Sequence, residues 1–78
     1  MKLYFEDCRE NRRLIGEPNT WEETIDIIDN FLSEHNFISY YKRVNFYESE
    51  WQIDVGSHTE FIILTDITDE VKKQVMKG

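Results

Sequence analysis

Residues 19–36 read NTWEETIDIIDNFLSEHN, and the spacing of their apolar letters decides the fold. At ~100° per residue, Trp21, Ile25, Ile28 and Leu32 fall on one stripe of a helix, flanked by Phe31 and His35. Thr20 with Glu23 three positions later forms a capping box, and Asn19 alone is also a good N-cap. Glu22, Asp26 and Asp29 fall together on a flank about 100° around the same cylinder. The pattern predicts an amphipathic helix from about Thr20 to Asn36, apolar on one side and acidic beside it. Acids in its first turn suit the positive end of the helix dipole.

On either side of this helix the period changes to two. Leu3-Tyr4-Phe5-Glu6 places Leu3 and Phe5 on one face, and Arg12 to Gly16 returns as a second strand after a polar turn. Pro18 ends that strand, because proline donates nothing to a ladder. Ile38 to Tyr47 alternates again, with Ile38, Tyr40, Val44 and Phe46 on one face and Tyr41, Arg43, Asn45 and Tyr47 on the other. Glu48-Ser49-Glu50 turns, Trp51 to Val55 runs back, and Gly56 to Thr59 turns once more. Phe61-Ile62-Ile63-Leu64 is apolar on both faces, as a central strand is. Thr68 caps a last short helix through about Lys77. The expected order is ββαβββα: one α+β domain over residues 1–78, an antiparallel sheet with the long helix against one face.

Composition narrows the function. Seventy-eight residues form a single small domain with room for a core and little space for a deep cleft. No stretch approaches the ~20 apolar residues of a membrane span, and acid appears by Glu6, so the chain reads as cytosolic. The lone Cys8 excludes an internal disulfide and a thiolate zinc cage. The net charge is −7, and no Lys or Arg lies between Arg13 and Lys42 or between Arg43 and Lys72. Phosphate contacts need clustered cations, so direct binding to nucleic acid or to anionic membrane is not expected.

Asp54-Val-Gly-Ser-His-Thr-Glu-Phe61 is the one stretch that looks like chemistry. A Ser-His dyad needs a ring nitrogen within ~3 Å of the hydroxyl and a group to orient the ring. Ser57 and His58 are sequence neighbours, which extended backbone points to opposite faces. The His58-x-Glu60 spacing is similar to that of zinc deaminases, whose chemistry also needs a P-C-x-x-C pair absent here. The stretch therefore reads as a hairpin turn, with no catalytic residue, metal site or cofactor expected.

From Asn19 onward the order αβββα resembles a double-stranded RNA-binding domain. That family opens its second helix with lysines, whereas Thr68-Asp69-Glu70 stands here, so RNA binding is set aside on charge. Met1-Lys-Leu-Tyr-Phe-Glu-Asp7, Arg12-Arg-Leu-Ile-Gly16 and Asp54 to Phe61 resemble small uncharacterised proteins of bacteriophages and prophages of Gram-positive bacteria. The resemblance implies an intracellular accessory protein in the cytoplasm of an infected or lysogenic host. Small acidic proteins of that kind include DNA mimics and anti-CRISPR or anti-restriction inhibitors.

The resulting expectation is a non-enzymatic module that binds a protein partner with a basic surface. Its contacts are expected at Glu22, Asp26 and Asp29 for electrostatic docking, with Tyr41 and Tyr47 as anchors. The alternative is an assembly accessory acting as a homodimer through the open sheet face, where Ile62 or Leu64 would join Tyr41, Arg43 and Tyr47 in an exposed patch.

Overall fold

The strand at Phe61–Thr65 is hydrogen-bonded on both sides, and through it two hairpins become one sheet. In the computed structural model, which describes residues 1–36, 42–57 and 59–76, the elements are β1 (Lys2–Glu6), β2 (Arg12–Gly16), α1 (Trp21–Glu34), β3 (Arg43–Phe46), β4 (Glu50–Asp54), β5 (Phe61–Thr65) and α2 (Asp69–Met76). The sheet order is β2-β1-β5-β4-β3, antiparallel throughout. The expected ββαβββα order of an α+β domain is present, with α1 carrying the chain from the β2 edge to the β3 edge. Residues 38–41, expected as the start of the third strand, lie outside the described residues, as does Lys77 at the end of α2.

Local chemistry sets the element ends. In the β1–β2 turn, the Asp7 carboxylate accepts the backbone N–H groups of Arg9 and Asn11 at 2.8 and 3.0 Å. The Asn11 and then the Arg9 amide hold its pKa below the ordinary value. One half of the capping box forms at α1, where Glu23 N–H donates to Thr20 Oγ1 at 3.1 Å; the Glu23 carboxylate instead accepts the N–H of Asn19, the residue before the N-cap, at 2.6 Å. Asn36, at a left-handed φ of 54°, ends the helix and donates its N–H to Ser33 O.

The core lies between the sheet and both helices. Leu3, Ile28, Phe31, Leu32, Trp51, Ile53, Val55, Ile62, Leu64 and Val71 form one buried cluster. Register explains the sheet's share: Leu3, Leu64, Trp51 and Phe46 stand opposite one another, as do Phe5, Ile62, Ile53 and Val44. Two details differ from the sequence pattern. The buried face of α1 is rotated, so that Thr24 is fully buried while Ile25 is half-buried and outside the cluster. Thr24 tolerates burial because its hydroxyl donates to Thr20 O at 2.8 Å. Phe46, expected inside, is 45% exposed because β3 is an edge strand; its ring keeps an edge-on contact with Trp51.

Ile62 and Leu64 face the helices and are buried, which overturns the exposed patch expected around them. Ile63 is the buried residue of β5 on the opposite face, only 1% exposed. Tyr4 and Gln52 flank it in register. On the same face Arg12 donates to Glu6 at 2.8 Å and reaches past β1 and β5 to clasp both oxygens of Glu50 at 3.0 and 2.7 Å. Both carboxylates raise the guanidinium pKa, Glu50 foremost. Tyr4, Gln52 and the Arg12–Glu6–Glu50 ion pairs thus share the face of the sheet that Ile63 occupies.

Where β2 meets α1, Gly16 is in close approach: a Cβ built there would lie 2.7 Å from Ile27 Cδ1 and 3.0 Å from its Cγ2. Gly16→Ala is expected to lower stability by about 1–3 kcal/mol. Adding Ile27→Val, which removes Cδ1, should recover part of that loss. Urea denaturation of the single and double variants checks this, and additive losses would refute the steric account.

Candidate functional site

The acidic flank of α1 is divided by its surroundings. Glu22 accepts a hydrogen bond from Gln74 Nε2 of α2 at 2.9 Å, which lowers its pKa from the ordinary value. Asp29 pairs with Lys42 at 2.8 Å, just before β3. Asp26 is exposed and has no ion pair among the described residues. It borders a shallow depression with Glu17 and Glu23, two acids the helical stripe does not include. Glu17 comes close because Pro18, buried at the turn, leads the chain directly into α1. Asp26 is thus the centre of the open negative surface, and Glu22 and Asp29 lie at its tethered borders.

Of the two expected aromatic anchors, Tyr47 falls within the described residues. Tyr47 is 56% exposed and follows β3, where its N–H donates to Glu50 O at 3.1 Å. Tyr41 lies outside the described residues. The remaining cations are also partly committed. Arg12 is held by two carboxylates on the far face of the sheet, and the Arg13 guanidinium lies 5.5 Å from the centre of the Phe31 ring.

The polar run after β4 uses its oxygens to shape backbone. Asp54 Oδ1 accepts Gly56 N–H at 2.8 Å, and Ser57 Oγ accepts Glu60 N–H at 3.2 Å and Thr59 N–H at 3.4 Å. Gly56 adopts a φ of 100°, which suits a residue with no Cβ. His58 lies outside the described residues. Among the described residues no three His, Cys, Asp or Glu side chains come together as a metal-binding group.

Beside this turn is a feature that sequence reasoning missed. A cavity of about 240 Å³ opens between the C-terminal end of α1 and the sheet. Phe5, Phe31, Leu32, Val55, Phe61 and Ile62 line its apolar wall, and His35, Ser57 and Glu60 contribute polar groups. These residues come from three separated segments, so no local motif announces it. No helix among the described residues is long and apolar enough to cross a membrane. No family model matches this chain, and no curated protein or solved structure matches it either.

The Glu22–Gln74 contact sets a pH dependence. Because folding depresses the Glu22 pKa, its contribution is full above the unfolded value of about 4.3 and is lost as pH falls through the lower folded value. Gln74→Ala should move the Glu22 midpoint back upward in a carboxyl NMR titration. An unchanged midpoint would show that the amide is not its cause.

Proposed function

We propose that this chain is a non-enzymatic protein-binding module that docks by charge on a partner's basic surface. In keeping with the phage and prophage resemblance, it is read as an accessory protein acting in the host cytoplasm. The partner class is a protein whose basic groove ordinarily holds nucleic acid, as in host defence systems, so that the module competes as a polyanion does. The observation that carries this reading is the open negative surface around Asp26, reinforced by Glu17 and Glu23 and bordered by Glu22 and Asp29. A rigid helix holds four of these acids (Glu22, Glu23, Asp26 and Asp29) in fixed relation, so their potentials add, and a net charge of −7 favours approach to a cationic target.

Affinity capture from host lysate at low and high salt, followed by binding kinetics on the captured protein, tests the reading. Wild type should bind with a steep salt dependence, and nucleic acid should displace it. Asp26→Lys removes the central charge without touching either tether, and the triple reversal of Glu22, Asp26 and Asp29 to Lys removes the whole flank. Asp26→Lys, exposed and outside any ion pair among the described residues, should shift stability by no more than about 0.5 kcal/mol, whereas the triple variant also loses the Gln74 and Lys42 contacts and its fold is checked by spectral dispersion. Both variants should lose affinity mainly through a slower on-rate, the triple variant more. Folded variants that bind with unchanged affinity and salt slope would sink the proposal.

A further inference from the structure

The cavity at the C-terminal end of α1 has a chemistry independent of the acidic flank. Its apolar wall places Phe5 against Phe31, ring centres 5.0 Å apart, with Leu32, Val55 and Ile62 around them. An apolar cavity of roughly 150 Å³ is enough for a benzene-sized molecule. At about 240 Å³ this one has room for a ring with a short chain attached.

The polar groups at its border are biased toward accepting. Glu60 supplies a carboxylate. His35 Nδ1 is 2.9 Å from Phe31 O, a carbonyl that can only accept, so Nδ1 carries the hydrogen and the neutral ring keeps Nε2 as an acceptor. Ser57 accepts two backbone N–H groups, so its hydroxyl hydrogen remains as a donor beside these acceptors. The aromatic wall is also a cation acceptor, and the Phe31 ring already carries the Arg13 guanidinium. Arg13 is solvent-exposed and does not line the cavity, so water and salt screen its repulsion of a second cation.

We propose that this cavity is a binding site for a small arylalkyl ammonium ion. The ring packs against Phe5, Phe31 and Val55, and the ammonium group faces Glu60. The site is separate from the protein-docking surface, and neither reading depends on the other.

Phenethylammonium, the neutral 2-phenylethanol and the anionic phenylacetate share a ring and differ in charge. Each is titrated into the full chain and followed by ¹⁵N and methyl ¹³C spectra. Phenethylammonium should give saturable shifts confined to the residues that line the cavity, Glu60 among them. It should bind about tenfold more tightly than the alcohol, the gain expected of a hydrogen bond to a charged group. Phenylacetate should bind most weakly. Glu60→Gln, checked for native spectral dispersion, should bring ammonium and alcohol to equal affinity. The three-ligand comparison on wild type stands without the variant. Equal binding of ammonium and alcohol to wild type, shifts confined to the α1 acids, or no saturable shift with any ligand would each overturn the proposal.

Discussion

Everything in this fold depends on β5 finding its place between β1 and β4. The hairpins β1–β2 and β3–β4 are local pairings, closed by their own turns, and each has one apolar face that a two-stranded ribbon cannot bury. Only when Phe61–Thr65 enters do both gain a neighbour, with Lys2 opposite Thr65, 63 positions apart in sequence. The same step sets Leu3, Ile53, Ile62 and Leu64 side by side as a continuous floor for Ile28 and Leu32 of α1. Such non-local closure forfeits chain entropy before it gains contacts, so the β5 insertion is the slow and cooperative event expected of this topology.

Much of this was legible because the signals are local. The Thr20/Glu23 capping box, the period-two strands and the doubly apolar run at β5 each express a backbone geometry within a few residues. What escaped the sequence depends on contacts between distant segments. Thr24 reads as polar, yet an acceptor one turn back lets it take a buried position that Ile25 had been expected to share. Alternation assigned Phe46 to the inner face, as its contact with Trp51 confirms, but alternation does not say which strand lies at an edge.

The candidate surfaces divide along the same line. A helical wheel places Glu22, Asp26 and Asp29 together, but it does not show that Gln74 and Lys42 hold the outer two. Nor does it bring in Glu17, which reaches Asp26 by way of the Pro18 turn. In the run from Asp54 to Phe61, the turn expected at Gly56 to Thr59 is seen at Gly56 and Ser57, whose geometry is written in adjacent positions. The same reading could not show that Ser57 and Glu60 also border a cavity walled by Phe5 and Phe31, residues far away in the chain.

The Arg12 fork bears on how this chain behaves in a crowd. A sheet face without helices normally invites stacking or edge-to-edge aggregation when its central strand carries an exposed branched side chain. Here Ile63 occupies that central position and is only 1% exposed, and on the same face one guanidinium ties two carboxylates across the sheet. A second molecule settling on this face would have to displace a charge already paired. A charge so paired opposes stacking on a strand that is apolar on both faces.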